Sequence, residues 1–407
     1  MKVRITILIL LLPLVLGCAD ENGQPEKTPK LLLVSFDGFR YDYLEFTDTP
    51  NFDAFVRGGV MAESMRPVFP TKTFPNHYSI VTGLYPENTG LIANNMYDPQ
   101  TGEEFHLYDR EAVEDPGWYG GEPIWNTVEQ QGLKAGTMFW VGSEAPIQGQ
   151  QPTYWKRYDG EMSEEARIDT VVSWLAGDTG ESVDFATLYF ELVDDAGHDH
   201  GIESDSIIAA IQRADRLIGY LDRRLEESNV GPINIMIVSD HGMAELYGDK
   251  LIVLDQIINP GDIEWITFQP VTFIQPTKGK TDEIYRQLKE REEHYRIYRR
   301  QDLPEKYHLK NHRRVTDLVM IADIPYTILT TDFIDRFRNH LPTATHGYDN
   351  FAPEMQAFFA ANGPDFVSGD TVGNFQSIHL YGLMNMLLGT EPAENDGSID
   401  SVRVLLK

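Results

Sequence analysis

Five short, largely apolar runs constrain the architecture most: Leu31–Phe36, Lys134–Trp140, Phe185–Phe190, Ile233–Ser239 and Leu318–Ala322. Each has strand length and lacks the apolar–polar alternation of a strand with one wet face, so each reads as a strand buried on both sides. Helical patterns lie between them, at Glu122–Gln131, Ser163–Leu175 and Ser204–Glu227. Strands alternating with helices predict a doubly wound, mostly parallel α/β sheet. Such sheets place ligands beyond the carboxyl ends of their strands. Polar residues stand there: Asp37 after the first run, Glu191 and Asp194 after the third, Asp240 and His241 after the fourth.

The alternation breaks between about Gly261 and Leu341, a charged and tyrosine-rich stretch that reads as an insertion against the main sheet within one catalytic domain, residues 30–407. Leu380–Leu388 reads as an apolar helix closed by Gly389, and Ile399–Leu406 as an edge strand. At the other end, Lys2 and Arg4 precede an apolar run from Ile5 to Leu16 that is too short to span a membrane and has the shape of a signal peptide. It closes on Val15-Leu16-Gly17-Cys18, a lipobox-like ending. The expectation is cleavage of residues 1–17, a lipid on Cys18, a flexible tether over 18–29, and an exported protein anchored in a bacterial cell envelope. Cys18 is the only cysteine, which excludes an internal disulfide and a cysteine-based metal site.

Charge narrows the partners. With 63 acidic residues against 34 basic ones, the net charge is −29. A chain this acidic is not a non-specific nucleic-acid binder, which needs a positive field to displace counterions, and no stable nucleic-acid complex is expected. A small anionic substrate remains compatible, because bound metal ions invert the local potential.

The residues at the strand ends are of the right type for metal. Asp194-x-x-x-His198, Asp240-His241-Gly242, His346-Gly347-Tyr348-Asp349-Asn350 and Asp37-Gly38 offer carboxylate oxygen and imidazole nitrogen without sulfur, a donor set that suits catalytic zinc. Each motif alone is weak; together, in this order, they are not. The segment Pro70-Thr71-Lys72-Thr73-Phe74-Pro75 sets a hydroxyl just ahead of a helical pattern, where N–H groups and the helix dipole favour anions. A threonine hydroxyl becomes a useful nucleophile only when a metal or base activates it.

These strings carry a resemblance. Ser35-Phe36-Asp37-Gly38-Phe39-Arg40, the run Pro70 to Gly83, Gly197-His198, Ser239-Asp240-His241-Gly242-Met243 and His346 to Asn350 are similar to the nucleotide pyrophosphatase/phosphodiesterase family of the alkaline phosphatase superfamily. The resemblance implies two Zn2+ ions per chain, one held by Asp37, Asp240, His241 and the nucleophile Thr73, the other by Asp194, His198 and His346. It implies that Asn94 donates a hydrogen bond to a phosphoryl oxygen, and that Phe74, Tyr158 and Tyr189 form a pocket for a nucleobase. The implied reaction is hydrolysis of nucleoside 5′-phosphodiesters and nucleotide pyrophosphates through a covalent threonyl-nucleotide, releasing nucleoside 5′-monophosphates.

Other readings stand beside it: a choline-type phospholipid phosphodiesterase, a phosphate monoesterase that would use Lys156 or Arg157, and a zinc-stabilised surface binding protein without turnover. His77 reads as structural, and Glu191 and Asp195 as neighbours that tune a ligand.

Overall fold

The computed structural model describes residues 28–337 and 342–407; the leader, Cys18 and most of the tether lie outside them. Its centre is β1 (Lys30–Phe36), every residue of which is buried. To one side lies β2 (Phe185–Phe190) and to the other β3 (Ile233–Val238), both parallel to β1, with Ser35 level with Tyr189 and with Val238. The register places Asp37, Glu191 and Asp240 at one edge of the sheet. The full order is Asp370–Val372, Val60–Ala62, Phe359–Asn362, β3, β1, β2, Ala135–Met138, Tyr154–Lys156. Phe359–Asn362 runs antiparallel to β3 and to Val60–Ala62; the other pairings are parallel.

Alternation along β1 feeds two cores. Leu31 and Leu33 face one layer, with Tyr78 and Ile80 from α1 (Thr73–Thr82), and Leu32, Val34 and Phe36 face the other. The second layer holds α2 (Glu164–Ala176), whose first turn is capped by Ser163 accepting from the Ala166 amide. It also holds α4 (Asp205–Glu227), which follows the short α3 (Leu192–His200). α4 buries Ile207, Ile211, Ala214, Leu217, Ile218, Leu221 and Leu225, a stripe at helical spacing.

Leu318–Ala322 is not part of this sheet, contrary to the sequence expectation. It lies in a second, four-stranded antiparallel sheet ordered Ile263–Ile266, Val271–Pro276, Leu318–Ala322, Tyr295–Arg299. A strand buried on both faces looks the same in sequence whichever way its neighbours run. One face of this sheet closes on a small core with Ile284 and Leu288, while Val271, Phe273, Val319 and Ile321 join the main core. Ile399–Leu406 is likewise not an edge strand. It forms two 3-10 turns, Ile399–Ser401 and Arg403–Leu405, because Ile399, Val402 and Leu405 recur every third residue and the last two are fully buried.

Candidate active site

The edge where β1, β2 and β3 end gathers six of the predicted ligand residues. Asp37 follows β1 directly, and Gly38 turns the chain at φ +66°, a left-handed conformation open to glycine. A Cβ on Gly38 would stand 2.8 Å from Asp194 Oδ1, so glycine is also what lets the two carboxylates approach. The Gly38 amide donates to Asp240 Oδ1 at 3.1 Å, tying the end of β1 to the residue two beyond β3. Asp194 and His198 are one turn apart on α3 and share a face, with His198 Nε2 at 3.4 Å from Asp194 Oδ2. His241 Nε2 lies 2.9 Å from Asp240 Oδ2 and 3.5 Å from Asp37 Oδ1. His346 arrives from the loop after Ala344–Thr345 and stacks on His241 with ring centres 3.6 Å apart.

The three predicted histidines are oriented alike. His198 Nδ1 faces the Ala344 carbonyl at 2.9 Å, His241 Nδ1 the Gly242 carbonyl at 2.9 Å and His346 Nδ1 the Thr71 carbonyl at 2.7 Å. A carbonyl only accepts, so each Nδ1 carries the proton and each Nε2 is left as a lone-pair donor aimed at the carboxylates. His77 differs: its Nδ1 meets the Thr73 carbonyl at 3.0 Å and its Nε2 meets Ser35 Oγ at 2.8 Å, so both nitrogens are engaged. It lies 3.5 Å from Asp240 and links the start of α1 to the carboxylates.

The cluster is electrostatically incomplete on its own. Asp37 Oδ1, Asp194 Oδ1, Asp240 Oδ2 and His241 Nε2 are buried without a hydrogen-bond partner. Burial, then repulsion from Asp240 and Asp194, pushes the Asp37 carboxyl far above the usual range, and burial and Asp194 push Asp240 up likewise. Burial holds His346 well below its usual value and His77 down at about 3. A cation placed among these groups would meet the carboxylate charge that burial and mutual repulsion oppose, and would take up the imidazole lone pairs. Asp194, His198 and His346 form one group able to hold a metal ion; Asp37, Asp194 and His241 form another, and Asp37, His77 and Asp240 a third.

Thr73 is the first residue of α1, behind the extended Lys72, and no side chain caps that helix. Asn94 Oδ1 accepts the Phe74 amide at 2.9 Å, which leaves its Nδ2 as the donor beside Thr73. The Phe74 ring packs edge-on to Phe105 at 5.6 Å. Tyr158, 41% exposed, meets Phe139 edge-on at 5.3 Å and Tyr189 at 6.4 Å. Tyr189 turns its hydroxyl inward to Asp37 Oδ2 at 2.6 Å.

Several residues here escaped sequence reasoning. Lys72 is buried, with Nζ donating to the His346 carbonyl at 2.9 Å and to Gln269 Oε1; burial lowers its pKa to about 7, against the pull of Asp194. Its position beside Thr73 was the available signal. Arg167 grips Glu191 through two bonds of 2.5 and 2.7 Å and had no local signal. Of the two cations proposed for a monoesterase, Lys156 is exposed and Arg157 pairs with Glu114 at 2.5 Å.

Comparison with known proteins gives the family. The type I phosphodiesterase / nucleotide pyrophosphatase family pattern matches residues 31–349. The chain belongs to that family, and it is an enzyme of the nucleotide pyrophosphatase/phosphodiesterase type. Bis(5′-adenosyl)-triphosphatase ENPP4 of Bos taurus is 36% identical over 99% of this chain and 87% of its own length. Ectonucleotide pyrophosphatase/phosphodiesterase family member 1 of Homo sapiens is 38% identical over 94% of this chain and 42% of its own length. The solved structure of murine ENPP5, an inactive threonine-to-alanine variant in complex with AMP, superposes with a TM-score of 0.89 at 34% identity, covering 93% of this chain and all of that one.

These relatives correct the expectation of a bacterial envelope lipoprotein. They are animal proteins that match nearly the whole chain, and they outweigh a four-residue ending at Cys18, which lies outside the described residues. Among the described residues, no helix is long and apolar enough to cross a membrane.

Proposed function

We propose that this enzyme hydrolyses nucleoside 5′-phosphodiesters and nucleotide pyrophosphates by two displacements at phosphorus, with Thr73 as the nucleophile. The observation that carries the reading is the common orientation of His198, His241 and His346, each with Nδ1 on a backbone carbonyl and Nε2 toward Asp37, Asp194 and Asp240, beside the uncapped start of α1. Asp37, Asp240, His241 and Thr73 would hold one Zn2+, and Asp194, His198 and His346 the other. When bound, the pair supplies Lewis acidity that favours the ionised hydroxyl and offsets charge on the leaving oxygen.

Thr73 Oγ forms a bond to phosphorus as the bond to the leaving alcohol or phosphate breaks; the hydroxyl proton passes to solvent and the leaving oxygen takes one up. Asn94 Nδ2 donates to a non-bridging oxygen, where negative charge builds. The nucleoside lies between Phe74 and Tyr158, with Tyr189 behind. Water then attacks the threonyl ester, and the bond from phosphorus to Thr73 Oγ breaks to release a nucleoside 5′-monophosphate. The murine ENPP5 structure, an inactive threonine-to-alanine variant with AMP, supports both the nucleophile and the product.

A chiral phosphorothioate diester tests this. Two in-line displacements give net retention at phosphorus, and direct attack by water gives inversion. Thr73→Ala is expected to lose at least a thousandfold in kcat while keeping about two zinc ions per chain.

A further inference from the structure

The buried carbonyl of His346 has one close donor: Lys72 Nζ at 2.9 Å, with Thr345 Oγ1 standing farther off at 3.4 Å. Lys72 reaches it by crossing Gly347, which sits at φ +115° and where a Cβ would lie 2.6 Å from Lys72 Cε. The lysine stem passes because that position is glycine. Thr71 holds the same loop from its other side. Its carbonyl accepts from His346 Nδ1 at 2.7 Å, and its hydroxyl accepts from the Gly347 amide at 2.9 Å and donates to the Tyr348 carbonyl at 3.1 Å. The two segments 71–73 and 346–348 are thereby laced together, and each carries a member of a proposed zinc set, Thr73 or His346.

Lys72 also reaches outward. Its second acceptor is Gln269 Oε1, in the turn joining Ile263–Ile266 to Val271–Pro276 of the antiparallel sheet. Gln269 sits at φ +96°, a conformation a residue with a Cβ rarely adopts and keeps only when its surroundings enforce it. Its amide donates to the Ile328 carbonyl at 3.1 Å and its carbonyl accepts from Thr272 Oγ1 at 3.0 Å, so the turn is an anchored partner. One buried ammonium group thus bonds the antiparallel sheet and the backbone of His346 together.

We propose that Lys72 is a positioning residue: it sets His346 within the group Asp194–His198–His346 and makes metal retention there depend on the seating of the antiparallel sheet. Asp194 and His198 stand one turn apart on α3 and are placed by that helix alone. His346 comes from a separate loop, with Nε2 3.9 Å from Asp194 Oδ1, and its backbone must be braced from outside. The other set draws Asp37, Asp240 and His241 from the ends of β1 and β3, which the sheet itself fixes. Partners that orient a ligand are worth 10- to 100-fold in metal affinity. The inference rests on the two-zinc part of the reading above and adds to it a residue that touches neither ion.

The test measures both zinc dissociation constants, by competition with a chromogenic chelator, for the wild type, Lys72→Met and Gln269→Gly. His346→Ala marks which constant belongs to its group. Methionine keeps an unbranched stem across Gly347 and removes the donor. Lys72 lies close enough to Asp194 to feel its charge, so taking positive charge away favours a cation there, and electrostatics alone predicts tighter zinc. Glycine adopts the φ of Gln269 without strain, so Gln269→Gly cuts the tie while relieving the turn. The constant of the His346 group is expected to rise about tenfold in Lys72→Met and at least threefold in Gln269→Gly, with a smaller change at the other site. A constant within twofold of the wild type in either variant, tighter binding by Lys72→Met, or an equal rise at both sites overturns the proposal and leaves the two-zinc reading standing. A wild type that binds fewer than two zinc ions overturns that reading and the proposal with it.

Discussion

The Tyr189 hydroxyl donates to Asp37 Oδ2 at 2.6 Å, while Asp37 Oδ1 is buried with no hydrogen-bond partner. One oxygen of the carboxylate is thus fixed and the other is presented. Partners of this kind orient a ligand, and their loss costs 10- to 100-fold in metal affinity. Tyr189→Phe keeps the ring against His77 and Tyr158 and removes only the donor. The chelator concentration that strips half the bound zinc is expected to fall about tenfold.

Arg167, 1% exposed, fills the space behind that contact. Its guanidinium donates to the Tyr189 carbonyl at 3.2 Å and to both oxygens of Glu191. Arg167→Ala leaves Glu191 without its cation and is expected to cost about 3–5 kcal/mol. Arg167→Lys recovers only part of this, because an ammonium cannot form the two-pronged contact. Urea denaturation midpoints of the three proteins check the order.

Tyr158→Ala tests the base slot. The ring is half out of the protein and touches its neighbours only edge-on, so its loss is expected to change stability by less than about 0.5 kcal/mol. KM for a thymidine 5′-phosphate nitrophenyl ester is expected to rise about tenfold, and KM for bis(nitrophenyl) phosphate far less. Equal effects on both would make Tyr158 a supporting residue.

Acid acts on a different part of the molecule. Burial, with Arg314 and Arg313 adding to it, lowers the pKa of His312 from its ordinary 6.5 to about 4. Between those values the unfolded chain binds a proton that the folded one refuses, so stability falls as the pH drops from about 6.5 to about 4. Asp98 follows: burial raises its pKa, but hydrogen bonds from Arg313, the Gln100 amide and Arg314 outweigh that and hold it at about 2. Its contribution is present above 3.8 and is lost as the pH falls toward 2. His312→Asn is expected to flatten the first decline and leave the second, read as denaturation midpoints against pH at equal metal loading.

The strand ends were legible because a continuous apolar run that stops at an acid carries its own signal, as Leu31–Phe36 does before Asp37. Pairings across the chain were not: Lys72 with Gln269 and Arg167 with Glu191 join segments that leave no mark on each other's sequence. Direction within a sheet was invisible for Leu318–Ala322, since burial on both faces erases the pattern that distinguishes the cases. Ile399–Leu406 failed for another reason, a three-residue period read as extended chain. The carbonyls that orient His198, His241 and His346 are backbone atoms, which no residue code displays.

The central strands also bear on how the protein is made. β1 pairs with β2 at Leu33–Thr187 and with β3 at Leu33–Met236, contacts far apart in the chain that form slowly. A ribosome that has delivered β1, α1 and α3 has delivered Asp37, Thr73, Asp194 and His198, but not Asp240, His241 or His346. Through much of synthesis the emerging chain therefore carries Asp37 and Asp194 without His241 and His346 and without a finished pocket. Neither proposed zinc set is complete in any such fragment, so each ion would bind its full set only after the last ligand had left the ribosome, and loading would be tied to the finished fold.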